Sequence, residues 1–193
     1  MESANRALDL VSIDDFVGTR VEGQRAELVG GIVYLMSGGT DRHNKIAVNA
    51  IGALLGPSRT LGCELFMSDM ALQASDDTVY YPDVMAVCDS QGDTNLTRTK
   101  PCLVIEVLSP STKSFDEREK RIAYRQIPTM RDYLIVHPED EMVDHHHREV
   151  SGTWSGPYAT AAMPVRRHAW ARSPSKTCSS ACSRLPKSAW GIR

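Results

Sequence analysis

Long apolar runs are missing from this 193-residue sequence. None approaches the eighteen or so residues of a membrane-spanning helix, so no membrane partner is expected. The first residues, MESANRALDLVSIDD, carry acids and no apolar core. That argues against a secretory leader and makes a cytoplasmic protein the expectation. With 10 Pro and 13 Gly the chain is too poor in both to be collagenous or of low complexity, and its 41% hydrophobic content can fill a core. The five cysteines form no CxxC pair and no Cys/His zinc spacing. Cys63, Cys88 and Cys102 lie in apolar, strand-like runs and read as small buried hydrophobes, with no disulfide expected. Walker loop, nucleophile elbow and dinucleotide fingerprint are all absent.

Acids are absent from one end. Residues 1–149 hold all 24 acids and 15 of the 22 Lys and Arg, a net of −9, whereas 150–193 hold seven basic residues and no acid. An acidic body does not attract nucleic acid by itself. A phosphate substrate would need local positive charge from a metal or a placed Lys or Arg. From Ala159 onward the chain is rich in Ser, Pro and basic residues, and no helix or strand period survives. Residues 1–158 therefore read as one domain and 159–193 as an irregular basic tail. Such a tail fits a degenerate end, as after a shifted reading frame, better than a nucleic-acid arm. Lost C-terminal strands would leave a sheet edge open, so a homodimer is expected.

Within the body, AELVGGIVYLM reads as a hairpin turning at Gly30-Gly31. Thr40 or Asp41 can cap a helix whose apolar positions run from Ile46 to Leu55 and which Gly56-Pro57 should stop. Residues 61–67, 70–74, 80–88 and 101–109 read as strands, the last two most simply as an antiparallel pair, with a parallel pair also open. A second helix is expected over 114–126, opened by a Ser114/Glu117 capping box and ended by Pro128. Strands at 131–138 and 142–150 complete an α/β fold, a mixed sheet flanked by helices.

One constellation carries chemistry. Glu106 sits inside LVIEVL, and a carboxylate in a buried strand costs several kcal/mol unless it is paired or binds a metal. Asp83 opens the preceding strand. Were the pair centred near Asn95, Asp83 would face Val107 and Glu106 would face Val84, within reach of one ion. Two acids sharing a site repel, a divalent cation relieves the repulsion, and oxygen-only ligation suits Mg²⁺ or Mn²⁺. Lys120 projects about 20° from Ile127, at the edge of the second helix's apolar face, from where it can reach the sheet. Its plain alternative is an i,i+4 pair with Asp116. Glu27 and His43 are supporting candidates, although each also reads as an ordinary polar group at an element edge. Lys113 is a further candidate for holding phosphate. The run His145–His147 reads more simply as an exposed edge strand than as a metal site, and only His145 and His147 would share a face.

YYPDVMAVCD, PCLVIEVLSPST and FDEREKRIAYRQIPTMRDYLIVHP, with the earlier AELVGGIVYLM, together resemble the Uma-type family of restriction-endonuclease-like proteins, within the PD-(D/E)XK nuclease superfamily. The resemblance spans about residues 10–155. It implies a restriction-endonuclease-like core, Asp83 as the metal-binding Asp, Glu106 as the second acid, and phosphodiester cleavage in nucleic acid, DNA first. The motif's Lys should stand two residues after the acid, where this chain has Leu108. The resemblance then implies that Lys120 serves from the helix. The alternatives are a nuclease-derived domain that only binds nucleic acid or a protein, and a structural oligomer subunit.

Overall fold

The computed structural model describes residues 10–19, 25–36, 38–109 and 115–161. Lys113 and Ser114 lie outside the described residues, as do 162–193 with Cys178 and Cys182.

Among the described residues two sheets, not one, share the strands. A short helix α1 (Ile13–Gly18) leads into the hairpin β1 (Ala26–Val29) and β2 (Ile32–Leu35). Its turn is Gly30-Gly31, with φ of +57° and +77°, the left-handed pair that a two-residue hairpin turn demands. Helix α2 (Asp41–Leu61) follows, then β3 (Glu64–Met67), β4 (Ala71–Ser75), β5 (Thr78–Tyr80), β6 (Val84–Val87), β7 (Thr97–Arg98) and β8 (Pro101–Val107). Helix α3 (Phe115–Gln126), β9 (Asp132–His137), β10 (Met142–Arg148) and β11 (Trp154–Ala161) complete the described residues. The five-stranded sheet has the order β2-β1-β5-β4-β7 and the six-stranded sheet β11-β10-β9-β8-β6-β3. Strand β11 runs three residues past the 158/159 division, pairing Ala159 with Asp144 and Ala161 with Met142.

The expected strand over 80–88 is two strands in different sheets. Pro82 cannot donate to a ladder. The chain leaves the five-stranded sheet after Tyr80 and enters the six-stranded one at Val84, which puts Asp83 at the junction. Strands β6 and β8 are antiparallel as expected, but their register is one residue away from a centre at Asn95: Val84 pairs with Ile105. Continued one residue past the end of β6, that register sets Asp83 opposite Glu106.

Helix α2 is capped by Thr40, whose hydroxyl accepts from the His43 N–H. It does not stop at Gly56-Pro57; it runs through Pro57 and ends at Gly62, whose φ is +70°. Ala47, Ala50, Leu54 and Ser58 form a buried stripe, so tertiary packing holds the last turn despite the proline. Helix α3 is the crossover that the parallel pair β8–β9 requires. Its Tyr124, with Ile127 just past its end, packs into a core with Leu72 and Tyr80 of the five-stranded sheet and Met85, Val104 and Ile135 of the six-stranded one. On the opposite face, Ala47, Ala50 and Leu54 of α2 cover Val84, Ile105 and Leu134. Strands β6, β8 and β9 are buried along their whole length, as strands covered on both faces must be.

The reading of the cysteines as plain hydrophobes is corrected. Cys63 and Cys88 form a disulfide, and Cys102 Sγ lies 3.2 Å from Cys88 Sγ. The Glu64–Val87 pair of β3 and β6 puts Cys63 directly opposite Cys88. This pairing depends on cross-strand register, which a count of cysteine spacings does not reveal. The histidine run is corrected as well: β10 lies between β9 and β11 rather than at an edge, and His146 is buried.

Candidate active site

Five of the sequence candidates converge where α3 lies against the ends of β1 and β8. Glu27 comes from β1 of the five-stranded sheet, Glu106 from β8 of the six-stranded sheet and Lys120 from the helix between them. All three are buried. Lys120 Nζ lies 2.8 Å from Glu27 Oε1 and 3.3 Å from Glu106 Oε1, with the Tyr80 ring 5.4 Å away. Lys120 therefore stands on a buried helix face. The Asp116 side chain of the alternative pair lies outside the described residues.

Glu106 also accepts a hydrogen bond from the Tyr124 hydroxyl at 2.7 Å. Tyr124, one helical turn after Lys120 on the same face, was missed by sequence reasoning. The i,i+4 spacing to Lys120 is the one signal that could have pointed to it. Leu108, two residues past Glu106, packs into the apolar core around Tyr124.

Asp83 sits at the sheet junction. Its Oδ2 accepts from the Val107 N–H at 2.7 Å and lies 3.1 Å from His43 Nε2. His43 occupies the first turn of α2, and Gly39 leaves it room: a Cβ there would lie 2.8 Å from His43 Nδ1. Glu27 is fixed further by the Tyr81 N–H, 3.3 Å from its Oε1. Strand β8, the Pro82 junction and the N-terminus of α2 thus deliver Glu106, Asp83 and His43 to one corner.

The electrostatics are those of too many acids. Burial pushes the Glu106 carboxyl up to about 7, and the neighbouring Asp83 and Glu27 push the same way, opposed by Lys120 and the Tyr124 hydrogen bond. His43 is raised, chiefly by its hydrogen bond to Asp83, against the lowering effect of its own burial. Among the described residues, three carboxylates face one ammonium and one imidazole. An all-oxygen set with excess negative charge fits a hard divalent cation such as Mg²⁺ or Mn²⁺, since the cation relieves the repulsion that adds to burial in raising Glu106. Asp83 and Glu106 are the residues that would hold it.

Residues 14–161 match the Uma2 family model, described as "Putative restriction endonuclease". Two proteins of Synechocystis sp. are similar in sequence, both uncharacterized. One, slr1290, is 34% identical over 134 residues, covering 68% of this chain and 70% of its own. The other, sll1609, is 30% identical over 135 residues, covering 68% and 76%. A crystal structure from Anabaena variabilis, titled as a putative nuclease belonging to DUF820, superposes with a TM-score of 0.62. It covers 91% of this chain and 99% of its own at 14% identity, a likeness of fold. With more than half of its length matched by the family model, this chain belongs to the Uma2 family of restriction-endonuclease-like proteins.

Proposed function

We propose that this protein is a metal-dependent endonuclease that hydrolyses phosphodiester bonds in nucleic acid, DNA first. Asp83 and Glu106 hold the ion and Lys120 supplies the catalytic amine. The observation that most supports this reading is the placement of Lys120 Nζ 3.3 Å from Glu106, delivered by a helix to the acid that stands in the sheet. Leu108 occupies the position where the superfamily motif carries its lysine, and Lys120 replaces it from another element.

A bound Mg²⁺ or Mn²⁺ would polarise the phosphate and lower the pKa of an attacking water. The chain's own groups do the rest. Glu27 and Tyr124 fix Lys120 and Glu106 so that neither has to reorganise during the reaction. The Lys120 ammonium offsets negative charge that builds on the phosphate oxygens. His43, held against Asp83, orients that carboxylate and is placed to hold a proton beside it. The Val107 N–H fixes the Asp83 oxygen that His43 also approaches.

The nuclease-like domain, read from the sequence as residues 1–158, takes in β11 to Ala161, with the basic segment appended. A cytoplasmic homodimer completes the reading, supported by the edge strand β2, whose Ile32, Val33, Tyr34 and Leu35 are all exposed. Light scattering tests the dimer. Among the described residues no helix is long and apolar enough to cross a membrane.

The test of activity is nicking of supercoiled plasmid DNA, and of RNA in parallel, with Mg²⁺ or Mn²⁺ against EDTA. The expected result is metal-dependent cleavage that Asp83→Asn and Glu106→Gln abolish. Calorimetric Mn²⁺ binding without cleavage of any nucleic acid would favour a domain that only binds. No binding at all would overturn both site and mechanism.

A further inference from the structure

A second cluster of metal-ligating side chains lies on the other face of the six-stranded sheet. Asp132 opens β9, and His145 and His147 stand on the neighbouring β10, where Leu134 pairs with His145 and Asp132 with His147. Along β10 alternate residues change face. His146 stacks on Tyr133, in the core beneath α3, so His145 and His147 point the other way. The parallel register pairs Leu103 with Asp132 and Glu106 with Ile135. The cluster is therefore three residues, about 10 Å, along the strands from Glu106 as well as on the opposite face.

Three side chains converge there. His145 Nε2 lies 2.7 Å and His147 Nδ1 2.8 Å from the same Asp132 oxygen, Oδ1. One ligand atom from each of the three lies within 4.8 Å of the others. The second Asp132 oxygen, Oδ2, is buried and has no hydrogen-bond partner among the described residues. Asp132 is only 3% exposed, and leaving a carboxylate oxygen buried and unpaired is costly. The two imidazoles are a quarter to a third exposed, so the cluster opens to solvent on their side.

We propose that Asp132, His145 and His147 form a binding site for a divalent transition-metal ion of the Zn²⁺ class, separate from the acidic site of Asp83 and Glu106. Two imidazoles and one carboxylate are a donor set that Zn²⁺, Co²⁺ and Ni²⁺ accept and that Mg²⁺ does not favour. Zinc with bonds of about 2.0–2.1 Å spreads its ligands about 3.3 Å apart, so donor atoms now at hydrogen-bond distance need move only slightly. Three protein ligands leave a fourth position for water from the exposed side. The ion would tie β9 to β10 at the end of the sheet remote from Glu106. This site does not depend on nuclease activity.

The test uses the full chain, stripped with a chelator and titrated with Co²⁺ as a spectroscopic stand-in for Zn²⁺, then with Zn²⁺ in competition. One equivalent should bind and give visible d–d bands without the near-ultraviolet charge-transfer band of a thiolate ligand. That band would instead mark an ion held by cysteine thiolate, away from the histidine cluster. His145→Gln and His147→Gln should each weaken binding at least about tenfold. The doubly substituted Asp83→Asn, Glu106→Gln protein should keep it. Because Asp132→Asn can fail to fold, the histidine variants carry the test, with circular dichroism confirming their fold. Absence of Co²⁺ and Zn²⁺ binding would overturn the proposal. So would binding that survives in the His145→Gln, His147→Gln double variant, that is lost with the acidic-site pair, or that carries the thiolate band.

Discussion

Lys120 Nζ lies 3.3 Å from Glu106 Oε1, and both groups are buried. The same ammonium is 2.8 Å from Glu27, so a single cation joins an acid of each sheet to the helix between them. The site is therefore part of what holds the two sheets together.

A lysine at the rim of a helix would tolerate truncation, but this one should not. Lys120→Met leaves Glu27 and Glu106 as buried acids without their shared cation, and should cost about 3–5 kcal/mol at neutral pH. Adding Glu27→Gln to the same protein should recover a large part of that loss while leaving cleavage abolished. Urea unfolding at pH 7 measures the first quantity and plasmid nicking the second. A Lys120→Met protein as stable as the parent would show that the buried triad carries no net coupling.

Glu106→Gln should act in opposite directions with and without metal. The folded carboxyl titrates near 7 against an ordinary 4.5, so the folded state holds more protons than the unfolded state between those values. In metal-free protein this group makes stability fall as pH rises through that window, and the glutamine variant should lack that fall. With saturating Mn²⁺ the order should reverse at neutral pH, because only the parent gains binding free energy. Melting temperatures from pH 4.5 to 7.5, with Mn²⁺ and with EDTA, read both arms.

Tyr124→Phe removes one buried hydrogen bond to Glu106 and leaves the ring in place. The expected cost is about 1–2 kcal/mol. Since that hydrogen bond favours the ionised acid, its loss should also move the acid limb of the pH–activity profile upward. An unchanged profile would assign Tyr124 a purely structural part.

His146 is buried, stacked on Tyr133, and neither ring nitrogen has a partner among the described residues. Burial, assisted by Arg125 and Arg121, lowers its pKa to about 4. The unfolded chain therefore binds the extra proton first as pH falls below about 6.5, and stability should decline from there toward pH 4. His146→Phe should flatten that decline by up to one proton, about 1.4 kcal/mol per pH unit. Chemical denaturation at pH 7, 6, 5 and 4 makes the comparison.

Cys63→Ala breaks the disulfide and leaves Cys88 and Cys102 with their sulfurs 3.2 Å apart. Under mild oxidant this variant should form a Cys88–Cys102 link, detectable by non-reducing peptide mapping. Cys63→Ala, Cys102→Ala should form none and should fall about 2–4 kcal/mol below the oxidised parent.

Local chemistry settled much of this protein in advance. Gly30-Gly31 can only turn tightly, Thr40 caps whatever helix follows it, and a glutamate inside LVIEVL must find a partner wherever the strand is buried. The residues that mark Asp83, Glu106 and Lys120 as candidates are short-range patterns of this kind. Several features depended on tertiary structure because they depend on neighbours far along the chain. Pro82 splits one apolar run between two sheets, and nothing within that run says which strands wait on either side. Register, set by packing on both faces of β8, put Asp83 level with Glu106 instead of Val107 and brought Cys63 opposite Cys88. Helix α2 ran through Pro57 because its buried stripe continues to Ser58. The burial of Lys120 between two acids, and the meeting of Asp132 with two histidines of the next strand, arise from strands and helices that the sequence describes singly and only the packed fold brings together.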